Sequence, residues 1–259
     1  MNKRNLFILL ALFIPKSLFG AMSFDGVNDF VRIQNVNEST TTLSVFCFIK
    51  TGDTSINKMF VSLYQLTGIN GRAWFMGTSN TAWPGATGAE LSVSISSDGK
   101  ATTGSLKSYW TNRIITDNVW HCVGFTFSPN DLKLYIDGEE AAVTKFTDPT
   151  LAGIFQSTVS VAIGALNPES GSSNGINGVI DDVRIYNRVL SGNEIRSLAL
   201  SRNRNVLINS DGLAGYWPLD NGITGTSTNG GSVIDMSPYQ NHGTPLNGPN
   251  WAQSTWLSY

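Results

Sequence analysis

The chain has 259 residues, of which 41% are hydrophobic, 10% aromatic and only 14% charged. So few charges, together with 26 glycines, exclude a coiled coil, while 13 Phe, 7 Trp and 7 Tyr supply too much apolar surface for a disordered chain. With 17 basic against 19 acidic residues there is no positive field of the kind that holds nucleic acid. The length suits one large all-β domain or two small ones.

Met1-Asn2-Lys3-Arg4 is a short basic start, Leu6 to Ile14 an unbroken apolar run, and Pro15 to Ala21 offers small residues for cleavage. This is the pattern of a secretory signal peptide over residues 1–20, cut near Gly20 or Ala21. An apolar run of nine is too short to span a bilayer, which takes about 20 residues. The alternative is an uncleaved N-terminal anchor. No Cys follows the run, which argues against a bacterial lipid anchor. Residues 21–259 are then expected to form a single exported domain with no membrane span. That domain is destined for the extracellular space, the cell surface or the periplasm. Without Lys3, Arg4 and Lys16 it carries 14 basic and 19 acidic residues, a formal balance of −5.

Strand signals follow in chain order. Phe30-Val31-Arg32-Ile33 alternates, and Leu43 to Ile49 is apolar on both faces, as expected of a strand covered on both sides. Phe60–Leu66, Arg72–Met76 and Leu91–Ser96 read as shorter strands. Trp120–Phe127 and Leu132–Ile136 flank a turn at Ser128-Pro129-Asn130-Asp131, and Asp137-Gly138 supplies a further tight turn. Val159–Ile163 and Val179–Ile185 complete the series. Ser191-Gly192-Asn193-Glu194 is a capping box that opens a short helix from Gly192 to about Leu200. Asn221–Ser232 reads as a loop, because too few residues follow it for a second domain. The expected architecture is all-β, a two-sheet antiparallel jelly-roll sandwich with one short helix in the C-terminal part.

Cys47 and Cys122 are the only cysteines, and an oxidising compartment favours joining them across a 75-residue loop. Such a bond is worth roughly 4 to 5 kcal/mol by the chain-entropy account. The alternative is two buried thiols in neighbouring strands.

Several stretches resemble one superfamily. Phe24-Asp25-Gly26-Val27-Asn28-Asp29-Phe30-Val31 is similar to the opening of laminin-G-like, concanavalin A-like domains. The central hairpin from Trp120 to Gly138 and the run Asn177 to Ser191 resemble theirs, as do Gly212–Asp220 and Asn241-His242-Gly243-Thr244. Pentraxins, one branch of that superfamily, carry a single disulfide between strands resembling those of Cys47 and Cys122, which implies the same pairing here. Their calcium-binding acidic run is not matched. Ala165-Leu166-Asn167-Pro168-Glu169 leaves only Asn167 and Glu169 as oxygen donors, so pentraxin-type ligand recognition is not carried over.

Three kinds of chemistry have candidate residues in the chain. Related domains hold a structural calcium where strands meet, and Asp25 and Asp181 are the candidate ligands, hard carboxylate oxygens suiting a hard cation. Asp181 shares the period-two face of Val183 and Ile185, so its carboxylate is expected to face inward. Alternatively, Asp25 closes a turn with Gly26. Trp74, Trp83, Tyr109 and Trp110 fall in a stretch rich in Gly, Ser, Thr and Asn and are candidate sugar platforms, because rings pack on sugar C–H faces. Trp83-Pro84-Gly85 reads as a loop tip, which makes Trp83 the best exposed candidate, whereas Trp74 and Trp110 read more readily as core. An exposed Trp83 would be removable at a cost of no more than about 0.5 kcal/mol. Catalysis finds little support. Hydrolases of this superfamily carry Glu-x-Asp-x-Glu on one strand, which is absent here. Glu139-Glu140 are adjacent and point apart, and His121 and His242 are the only histidines. The expectation is therefore a non-catalytic, lectin-like module for extracellular glycan or polysaccharide. The alternative is an adhesion or surface-assembly module whose partner is a surface protein.

Overall fold

The structure, a computed structural model, describes residues 20–34, 36–66, 71–102, 104–166, 174–201, 209–221 and 231–253. The expected signal peptide lies outside them up to residue 19, as do Asn167, Glu169 and most of the loop expected from Asn221 to Ser232.

Sixteen strands and one helix are described. In chain order they are β1 Gly20–Asp25, β2 Phe30–Ile33, β3 Leu43–Lys50, β4 Met59–Tyr64, β5 Arg72–Thr78 and β6 Glu90–Gly99. Then come β7 Leu106–Ile114, β8 Trp120–Ser128, β9 Asp131–Ile136, β10 Glu139–Glu140, β11 Val143–Thr147, β12 Val161–Ile163 and β13 Asn177–Tyr186. Helix α1, Gly192–Leu200, precedes β14 Leu213–Trp217, β15 Thr244–Leu246 and β16 Asn250–Gln253. They form two antiparallel sheets. The first has the order β10-β9-β8-β3-β13-β1-β16, with β14 also paired to β13, and the second β11-β7-β6-β5-β4-β12-β2-β15. The two sheets make the expected all-β jelly-roll sandwich. No described helix is long and apolar enough to cross a membrane.

Strand β3 shows why the first sheet is buried on both sides. Leu43, Val45, Cys47 and Ile49 join the core between the sheets, whereas Phe46 and Phe48 join a second cluster on the outer face. Helix α1 covers that outer face with Ile195, Leu198 and Ala199, each worth a kcal/mol or more in apolar area withdrawn from water. The capping box forms as the sequence predicts: the Ser191 hydroxyl accepts from the Glu194 N–H, and the Glu194 carboxylate accepts from the Ser191 N–H at 2.9 Å. Gly124 lets the Phe46 ring lie on the strand, since a Cβ there would fall 2.1 Å from that ring.

Two polar knots tie the ends of the sandwich. Asp25 Oδ1 accepts from the N–H groups of Val27 and Asn28, while Asp29 accepts from the Asp25 N–H. This is the turn-closing role, with Gly26 at φ +81°. Buried Asp235 accepts from the N–H groups of Tyr216, Ser237 and Asn241 and from the Ser237 hydroxyl, joining the segments around Trp217 and His242.

Two expectations are corrected here. The two thiols are free and buried, so the Cys47–Cys122 disulfide is not formed. In the β3–β8 ladder Cys47 stands opposite Val123, and Phe48 opposite Cys122. This one-residue offset sends Cys47 into the core between the sheets and Cys122 to the helix side. Asp181 does not share the inward face of Val183 and Ile185. A bulge between Asp181 and Arg184, with Asp182 at φ +54°, breaks the alternation and sets Asp181 opposite Phe48 of the outer cluster. The segment around Tyr109 and Trp110 is a regular strand, β7, and Val143–Thr147 is a strand that the sequence reading passed over.

Candidate functional site

The four candidate aromatics divide between the two faces of the second sheet. Trp74 is fully buried and meets Phe125 edge-on at 5.8 Å. Tyr109 also faces the core between the sheets, where its hydroxyl donates to Asp148 and its ring centroid is 5.4 Å from the Lys107 ammonium and 5.1 Å from that of Lys145. Neither has a surface to offer a sugar. Trp110, one residue from Tyr109, takes the opposite face and is itself buried, at 4% exposure, as expected of a packing residue. Its ring centroid is 5.7 Å from that of Trp83.

Trp83 is carried by the β5–β6 connection, which its own backbone folds. The Trp83 N–H donates to the Asn80 carbonyl, the Ala86 N–H to the Trp83 carbonyl, and Gly85 takes φ +87°. Glu90 anchors the base of this loop, accepting from the Ser79 hydroxyl at 2.6 Å and from the Thr87 hydroxyl and N–H. Burial pushes the Glu90 carboxyl up, but these hydrogen bonds outweigh it and hold the group ionised below its usual range. Trp83 does not project as a free tip. It is half-buried against Met59, Tyr64, Phe75 and Leu166.

The exposed ring is one the sequence reading missed. Phe146 of β11 stacks on Trp83 with centroids 5.3 Å apart and planes 19° from parallel, and it remains 43% exposed. Its available signal was the β-branched run Val143-Thr144-Lys145-Phe146-Thr147 ended by Asp148-Pro149, which marks a strand but not the ring it meets. Thr144 lies opposite Trp110 in the β11–β7 ladder, and its hydroxyl donates to Asn112 Oδ1 at 2.9 Å. Trp83, Trp110 and Phe146 thus form an outer-face aromatic cluster bordered by an exposed amide and hydroxyl.

The expected calcium ligands are not brought together. Asp25 pairs with Asn177 in the β1–β13 ladder, four positions from Asp181, roughly 13 Å of strand. Among the described residues no group of three or more Asp, Glu, His or Cys could hold a metal ion.

The groups weighed for catalysis are engaged elsewhere. Glu139 pairs with Arg196 and Glu140 with Lys133. His121 is held at both ring nitrogens, by Asp137 at 2.9 Å and Asp117 at 3.1 Å. Burial pulls its pKa down, and the two carboxylates more than offset that and raise it. Burial pushes the neighbouring Cys122 thiol up to about 12, the reverse of an activated nucleophile.

Residues 25–196 match a laminin G family described as the concanavalin A-like lectin/glucanases superfamily. The chain belongs to this superfamily. No curated protein sequence matches it. Among solved structures it is similar to a protein of Bacteroides ovatus to which carbohydrate binding has been ascribed, with TM-score 0.67 and 18% identity over 92% of this chain. It spans 61% of the length of that protein. A heptameric pentraxin from Limulus polyphemus is similar with TM-score 0.60 and 13% identity, over 93% of this chain and 97% of the other. At these identities the likeness is one of fold.

Proposed function

We propose that this superfamily member is an exported, non-catalytic module that binds extracellular glycan on the outer face of its second sheet. The observation that carries the reading is the stack of Phe146 on Trp83 above Trp110. A flat apolar ring open to solvent, backed by two others and bordered by Asn112 and Thr144, matches what a sugar presents, a C–H face rimmed by hydroxyls. The carbohydrate binding ascribed to the Bacteroides ovatus protein agrees with this reading. The engagement of His121, Glu139 and Glu140 with partners of opposite charge supports a binding role over hydrolysis.

The test is a broad glycan array probed with the purified protein, first with calcium and then with chelator. Binding that survives chelation is expected, because Asp25 closes its own turn and stands roughly 13 Å of strand from Asp181. Loss of binding from a sample that stays folded would overturn the calcium-independent form of the proposal. A folded sample that binds no glycan in either condition would overturn the lectin reading and favour the protein-interaction alternative.

A further inference from the structure

A second hollow lies on the other sheet. It encloses about 230 Å³ where the ends of β3, β8 and β13 meet, and its lining includes Lys50, Thr51, Gly52, Asn118, Trp120 and Asn177. The ladders set Trp120, Lys50 and Val179 side by side in one row: Lys50 is opposite Trp120 on one side and opposite Val179 on the other. Lys50 and Trp120 are both half-buried. The rim is fixed by backbone. Asn118 donates its N–H to the Thr51 carbonyl at 2.8 Å, and the Thr51 hydroxyl donates to the Asn177 carbonyl at 2.7 Å.

Lys50 is the only charged residue lining this hollow, and it makes no ion pair among the described residues. By contrast Lys58, Lys107, Lys133 and Lys145 each sit within 4 Å of a carboxylate. A half-buried ammonium with no ion-pair partner among the described residues, beside an indole in a hollow also lined by Asn118 and Asn177, suits one anionic group on a hydroxylated ring. The volume is below the roughly 300 to 1,000 Å³ of drug-sized sites, which restricts the guest to a single ring.

We propose that this hollow is a second saccharide site, selective for a terminal uronic acid. The carboxylate is held by Lys50, the ring is packed on Trp120, and its hydroxyls are met by Asn118 and Asn177. This site is separate from the aromatic cluster of the second sheet, and the proposal stands or falls without it.

The experiment is calorimetric titration of the purified protein with glucuronate and galacturonate, set against glucose and glucose 6-sulfate. Uronate is expected to bind at least tenfold more tightly than glucose, and less tightly as salt is raised. Lys50→Gln should abolish that preference. Gly52→Leu tests the same cavity without touching the charge. Gly52 is not in the left-handed region, and an added Cβ would make only ordinary contact with Asn118 at 3.6 Å, so the variant should fold with the hollow filled. It too should lose uronate at least tenfold. Equal binding of uronate and glucose, or wild-type affinity in Lys50→Gln and Gly52→Leu, would overturn the proposal. Tighter binding of the sulfate ester than of either uronate would overturn the choice of anion.

Discussion

Replacing Phe146 separates recognition from packing better than any change at Trp83. A phenylalanine carries about 200 Å² of accessible surface, so 43% exposure leaves roughly 85 Å² of ring open for a sugar. Covering that area at about 25 cal/mol per Å² is worth about 2 kcal/mol, a factor of roughly 30 in Kd as an upper figure. Phe146→Ala should therefore weaken glycan binding about 10- to 30-fold. The stability cost is the lost stack on Trp83, about 1 kcal/mol. Phe146→Tyr, which keeps the flat ring, should retain both. Trp83→Ala is a different perturbation, because that indole packs against Met59, Tyr64, Phe75 and Leu166 and touches two further rings. A half-buried Trp removed from such a cluster should cost about 2 to 3 kcal/mol, not the 0.5 expected of a loop tip. The assay is titration with the best glycan from the array, alongside urea denaturation of each variant. Unchanged affinity in Phe146→Ala would refute the assignment of that ring to the site.

Two other outcomes follow from the buried groups. Peptide mapping under non-reducing conditions should find Cys47 and Cys122 both free, and alkylating reagents should label them in denaturant but not in the native protein. A linked Cys47–Cys122 peptide would show that the β3–β8 register is wrong. His121 has a folded pKa raised above its unfolded value of about 6.5, so its ion pairs contribute fully below that pH and are lost as pH rises through the folded pKa. Its partners are 39% and 47% exposed, which limits the charge-dependent part to about 1 kcal/mol or less. The stability gap between wild type and His121→Asn should accordingly narrow as pH rises above about 6.5 in denaturation curves. A gap that widened over that range would contradict the carboxylate-bound imidazole.

How far the sequence alone reached follows a physical division. Local periodicity and local hydrogen bonding were legible: the doubly apolar β3 with Phe46 and Phe48, the capping box of Ser191 and Glu194, the Asp25–Gly26 turn, the central hairpin. Each depends on residues within a few positions of one another, so propensity and pattern suffice. The family resemblance was also legible, and with it the sandwich. What the tertiary structure decided was register and juxtaposition. Cys47 and Cys122 lie in neighbouring strands as expected, but an offset of one residue places them on opposite faces, and nothing local to either strand sets that offset. A single bulge did the same to Asp181. Phe146 meets Trp83 across 63 residues of chain, and the row of Trp120, Lys50 and Val179 draws on three strands. A strand's alternation says which residues share a face. Which faces and which rows come together is settled by cross-strand hydrogen bonding and packing between distant segments.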